Sequence, residues 1–232
     1  PVTEALEPHD QKALATLLRA DEYITGIATK TPTGVKVEAY LVLARDNALV
    51  QPLGMYDVKG MGDASSGIAK ELKEARKQLE FEQKCINAAR QQQYDAAIAA
   101  AKEGIAAYPK ATLARICWAN VLVTQKAPAA QQLELAKEIV NLDPKSRPGL
   151  AILAQSYRDT NQGDSAVVTL TRLLATDPKN PRLQKDVVEA IAALANPAVA
   201  KPVIDEAVQA NPGDPELLKL RWLILLLSLI HI

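Results

Sequence analysis

Aromatic residues are scarce in this chain, with one Phe, two Trp and six Tyr among 232 residues. So poor a supply suits closely packed helices rich in alanine and leucine. Histidine is rarer still: His9 and His231 stand at opposite ends, and neither has a second His or a Cys near it in the sequence. A metal or hydrolytic centre needs converging His, Cys or carboxylate groups, so this supply leaves none to propose. Paired carboxylates such as Asp205-Glu206 read as helix-start charges, and no glycine-flanked serine elbow occurs. Net charge is absent too, 27 basic residues standing against 27 acidic ones without a basic block. That balance argues against nucleic acid or an anionic membrane as the main partner. The apolar stretch from Trp222 into the end of the chain falls short of the roughly 20 residues a membrane-spanning helix needs. No cofactor and no catalytic group is expected, and the chain reads as non-enzymatic.

What the chain does contain is a ladder of prolines, Pro109, Pro144, Pro178 and Pro212, about one every 34 residues. Each closes a similar phrase: Ala107-Tyr108-Pro109, Leu142-Asp143-Pro144, Thr176-Asp177-Pro178 and Ala210-Asn211-Pro212. Proline cannot continue a helix, so each one punctuates a repeat. Small and large apolar residues recur in step: Cys85, Ala88, Tyr94, Ala97 and Gly104 in the first repeat, Leu153, Ala154, Tyr157, Ala166 and Leu170 in the third, Val187, Val188, Ile191 and Ile204 in the fourth. Small residues let helix backbones approach, and the larger ones seal the seam between neighbours.

On these residues the chain resembles the tetratricopeptide repeat family from about Gln78 onward. Lys84, where a leucine is usual, and Gln132, where an alanine is usual, depart from the family pattern. The resemblance implies a mainly α fold, a right-handed superhelix of helix pairs. Residues 68–226 would hold four repeats and a truncated fifth, with one extra residue in the turn around Ala127–Ala130. Helices are expected at Tyr94–Tyr108, Thr112–Thr124, Ala129–Leu142, Arg147–Thr160, Asp164–Thr176, Pro181–Leu194 and Pro197–Ala210, with a last one from Pro215. The family holds partner peptides or helices on its concave face, so a protein or peptide partner is implied. Repeat register puts Glu82, Arg90, Asn120, Gln155, Arg158, Lys185 and Glu189 on that face.

Ahead of the array, Pro8–Arg19 reads as a helix on Ala13, Leu14, Leu17 and Leu18. Tyr23–Ala28, Val35–Ala44 and Ala48–Leu53 read as strands, the last stopped by Pro52 and Gly54. The order of helix and three-stranded antiparallel meander over residues 1–56 resembles part of a TolB-like α/β domain; a hairpin accessory to the repeats is the rival reading. Gly60-Met61-Gly62-Asp63-Ala64-Ser65-Ser66-Gly67 lacks the Lys and Ser/Thr of a phosphate loop. Residues 57–67 are therefore expected to be a flexible linker, with Ser65 or Ser66 capping the next helix. From Gly67 to Gln92 no breaker occurs, and one long helix is expected.

Cys85 and Cys117 are 32 residues apart, close to one repeat, so both fall on first helices of adjacent repeats. Two readings stand: a disulfide staple, as an oxidising periplasm would allow, or two small buried residues. The chain opens on Pro1 rather than Met, which reads as a cut from a longer precursor. Leu227–Ile232 resembles a translated sequencing adapter, with the natural chain continuing past it. The leading expectation is a binding scaffold in a bacterial envelope or signalling assembly. The alternative is a sensory module of a larger signalling protein. The compartment is not fixed by the sequence, the staple alone favouring the periplasm.

Overall fold

The computed structural model describes residues 8–177, 180–193, 197–210 and 212–230. Pro178 of the ladder lies outside these residues, as do Pro1, Leu194, His231 and Ile232. The fold is mainly α, with a small α/β part first. Helix α1 (Pro8–Leu17) leads into strands β1 (Glu22–Thr31), β2 (Gly34–Leu43) and β3 (Val50–Val58). Ten helices follow: α2 (Met61–Ala75), α3 (Leu79–Arg90), α4 (Tyr94–Ala107), α5 (Thr112–Thr124), α6 (Ala129–Leu142), α7 (Arg147–Asp159), α8 (Gly163–Ala175), α9 (Pro181–Ala192), α10 (Pro197–Ala210) and α11 (Pro215–Ile230). The odd-numbered helices from α3 onward are the first members of their pairs. Repeat register also sets how these end. Gln92, Lys126 and Asn161, one just after each of α3, α5 and α7, adopt left-handed φ of 59°, 52° and 56°. A left-handed residue after the last turn stops a helix and turns the chain back.

The strands form one antiparallel sheet in the order β1-β2-β3. Val37, Ala39, Leu41 and Leu43 alternate along β2 and are buried, the period-two pattern of a strand with one covered face. Val42 and Ala44 on the opposite parity are buried as well. The expected stop of β3 at Pro52 and Gly54 is corrected: the strand runs through both to Val58. β3 is an outer strand, where a missing N–H is tolerated. Its register slips between Ala39, paired with Gly54, and Tyr40, paired with Pro52. Leu53 is thus the extra residue of a bulge, and Gly54 supplies φ +104° beside it. The bulge turns Leu53 into the core, where it is fully buried with Leu41, Ala75, Tyr108 and Ala114.

The glycine-rich stretch is not a linker. Val58 ends β3 and Met61 already begins α2. Ser65 and Ser66 do not cap it; their hydroxyls donate back to the Gly62 carbonyl at 2.9 and 3.0 Å. Gly67 is small for packing, since a Cβ there would stand 2.4 Å from a ring carbon of Tyr56. The one long helix is interrupted by a 3-10 turn at Arg76–Gln78. The stripe predicted on α1 stays in solvent: Leu14, Leu17 and Leu18 are exposed and Ala15 is buried.

The chain divides into two compact units, one of residues 1–125 with 141–146, the other of 126–140 with 147–232. The boundary therefore lies inside the second repeat, near the turn with its extra residue, and not at residues 57–67. Buried polar groups explain why the sheet belongs with the first helices. Gln51 of β3 donates to the Lys110 carbonyl at 3.1 Å and accepts from Gln78 Nε2 and from the Thr112 N–H, both at 2.8 Å. The Gln78 side-chain oxygen accepts from the Ala114 N–H at 3.2 Å. Ala111 at the N-cap of α5 offers no side-chain oxygen, so two glutamines from elsewhere satisfy the first turn of that helix. In the second unit, Leu150, Ala154, Leu170, Val187, Val188 and Ile204 belong to one continuous buried cluster.

The two departures from the repeat pattern find roles. Gln132 is buried, and its amide donates to the Ala127 carbonyl at 2.7 Å across the preceding turn. Lys84 is exposed, pairs with Glu80 at 2.7 Å and sits 5.2 Å from the Phe81 ring centroid.

Candidate functional site

In the first unit, α3 and α5 carry a cleft of about 270 Å³ between them. Ile86 and Ala89 from α3, with Ile116 and Val121 from α5, give it an apolar lining. Leu49, from the turn between β2 and β3, closes part of it. Arg90, Asn120 and Thr124 supply polar groups. The disulfide Cys85–Cys117 ties the two helices together, with Cα atoms 6.4 Å apart. Both cysteines are buried, and no free cysteine remains. Helix axes pack at 8–10 Å, so this crosslink fixes the spacing of the cleft's two walls.

Arg90 and Asn120, both predicted for a binding face, are exposed at this cleft. Among the described residues Arg90 has no ionic partner, and the Asn120 side chain makes no hydrogen bond. Thr124 bonds back to the Asn120 carbonyl at 2.8 Å. Glu82 is different, and its expected role as a solvent-facing contact is corrected. Its side chain is 4% exposed and ion-paired with Arg45. Burial pushes the Glu82 carboxyl above its usual range, and the Arg45 charge offsets this only in part. Arg45 sits after β2, so the sheet supplies the counter-ion for a carboxylate on the first repeat.

The other predicted contacts lie in the second unit. Gln155 and Glu189 occupy the repeat position of Asn120 and are exposed. Gln155 donates to Asp159 at 2.8 Å. Arg158 and Lys185 are half-buried. Sequence reasoning missed Leu49 and Arg45 because no motif links a β-turn to a helix more than 30 residues away. Ile86 and Ile116 were legible only as apolar positions, without a sign that they face a cleft.

Among the described residues, no group of three His, Cys, Asp or Glu side chains could hold a metal ion. No helix of the described residues is long and apolar enough to cross a membrane. The cleft is thus apolar across its floor, with Arg90, Asn120 and Thr124 at its rim and the Arg45-paired Glu82 in its lining.

No protein-family model matches the chain, and no curated protein matches it in sequence. Solved structures do match it in shape. A crystal structure of MamA protein is 16% identical, with a TM-score of 0.51 over 64% of this chain and 80% of that one. A tetratricopeptide repeat protein from Parabacteroides merdae is 13% identical, with a TM-score of 0.52 over 64% of this chain and 59% of that one. At these identities the likeness is one of fold.

Proposed function

We propose that this chain, which shares the fold of tetratricopeptide-repeat proteins, is a non-enzymatic scaffold that binds a partner peptide or helix on the first helices of its repeats. The observation that carries this reading is the cleft between α3 and α5, whose floor is apolar and whose rim holds Arg90 and Asn120, both without a side-chain partner among the described residues. A side chain from the partner enters over Ile86 and Ile116, and Asn120 and Arg90 meet its backbone carbonyls or a carboxylate. Gln155, Arg158, Lys185 and Glu189 are candidate contacts on the first helices of the second unit. A bacterial envelope setting is favoured by the buried Cys85–Cys117 bond, since disulfides persist in oxidising compartments.

Peptides selected from a displayed random library against the whole chain supply a ligand whose affinity can be measured by calorimetry. Arg90→Glu and Asn120→Ala are each expected to weaken binding about tenfold, or about 1.4 kcal/mol. Both residues are exposed, so the variants should fold normally. Affinity unchanged in both would remove the cleft from the binding surface.

A further inference from the structure

The two outer strands of the sheet are treated unequally. β3 is covered along its start: Thr112 Oγ1 donates to the Val50 carbonyl at 2.9 Å, and Lys110 and Thr112 engage Gln51. β1 is ten residues long, pairs with β2 along its whole length, and has no other strand beside it among the described residues. Its register decides which groups face outward. The Ala44 N–H donates to the Asp21 carbonyl at 2.9 Å, so residue 21 bonds inward and odd-numbered residues continue that pattern along β1. Glu22, Ile24, Gly26, Ala28 and Lys30 therefore turn their N–H and C=O groups to the open edge. Folded proteins blunt such edges with bulges, prolines, brevity or charged side chains; β1 has no bulge and no proline within it and carries charge only near its ends, at Glu22 and Lys30. Ile24 and Ile27 are also 51% and 57% exposed.

We infer that this edge is the interface for a second copy of the chain, two β1 strands pairing antiparallel about a two-fold axis at Gly26. The sequence of β1 is self-complementary in that register. Glu22 falls opposite Lys30 of the other copy, twice over, and Lys30 has no ionic partner among the described residues. Glu22 keeps its bond to Arg76, at 2.8 Å. Ile24 falls opposite Ala28 on the face shared with Leu41, and Ile27 opposite Thr25 on the other face, so each exposed isoleucine gains a cross-strand neighbour. The register also pairs outward-facing residues only with outward-facing residues, as an antiparallel ladder requires. A two-fold contact of this kind closes on itself and makes a dimer with a six-stranded sheet rather than a fibre.

Sedimentation of the whole chain across a concentration series tests this, together with hydrogen exchange at the Ile24, Gly26 and Ala28 amides. The expected result is a monomer–dimer equilibrium in which protection of those three amides rises with concentration. Ala28→Pro removes an outward N–H that bonds nothing within one copy, and should abolish the dimer. Lys30→Glu, an exposed change that leaves folding untouched, should raise the dissociation constant about tenfold, because both ion pairs become repulsions. A chain monomeric up to its solubility limit overturns the inference. So does a dimer indifferent to Lys30→Glu, or full protection of the three amides at high dilution, which would mean the edge is covered within one chain.

Discussion

Glu82 and Arg45 show how a single ion pair holds two parts of the chain together. The carboxylate is almost wholly buried while the guanidinium reaches water, so the arginine can be removed without a cavity. Arg45→Met would leave a buried charge with no counter-ion, and about 3 kcal/mol of stability should be lost at neutral pH, the low end for such pairs. The sign of the pH dependence follows from burial. A folded carboxyl already above its usual value rises further without the arginine, and the folded state then binds the proton more tightly than the unfolded chain. The loss should therefore shrink as pH falls through the raised value toward the ordinary one of about 4.3. Urea denaturation across that range is the measurement; a deficit independent of pH would mean the pair contributes by packing alone. None of this was legible in the sequence, where Glu82 is one more polar residue at a groove-facing repeat position.

Among the elements, the helices were the most readable. α5, α6 and α10 begin and end where periodicity and the proline ladder put them, because a repeating two-helix unit states each boundary several times. The region from Pro52 to Gln78 was not. Proline and glycine there read as breakers, yet their roles depend on tertiary packing: a bulge at Leu53 and the close approach of the Tyr56 ring of β3 to Gly67 on α2. Gly67→Ala separates the two readings by sign. In a solvated helix or linker the change should stabilise by up to about 1 kcal/mol. Against the Tyr56 ring, whose hydroxyl is held by the Leu53 carbonyl at 2.8 Å, overpacking should instead cost about 1–3 kcal/mol. Thermal melts of the two proteins decide it. The disulfide belongs to this scale as well. A loop closed by residues 32 apart is worth about 3–4 kcal/mol, and its sequence spacing, unlike its side-chain directions, was visible from the start.

For the whole molecule, the division into units carries the main lesson. The glycine-rich stretch read as a flexible linker between an α/β fragment and the array, but Gln51, Gln78 and Thr112 join strand and helices through buried hydrogen bonds. Deleting residues 1–58 should leave Gln78 and the first turn of α5 without their partners and uncover Ala75, Tyr108 and Ala114. Each orphaned group costs about 1–3 kcal/mol. Amide exchange in such a fragment is expected to show α3–α5 opening readily while α7–α10 keep their protection. Equal protection throughout would make the sheet an accessory after all.

The pair of glutamines that completes the start of α5 has an evolutionary corollary. Later repeats meet their neighbours through interchangeable aliphatic seams, so copying or deleting one is a small edit. The opening two are keyed to a strand by three residues spread over more than sixty positions, and a recombination that moved any one of them alone would strand the other two. A repeat inserted ahead of α5 would part Gln51 and Gln78 from the helix start they complete, whereas one added after α8 would disturb none of these bonds.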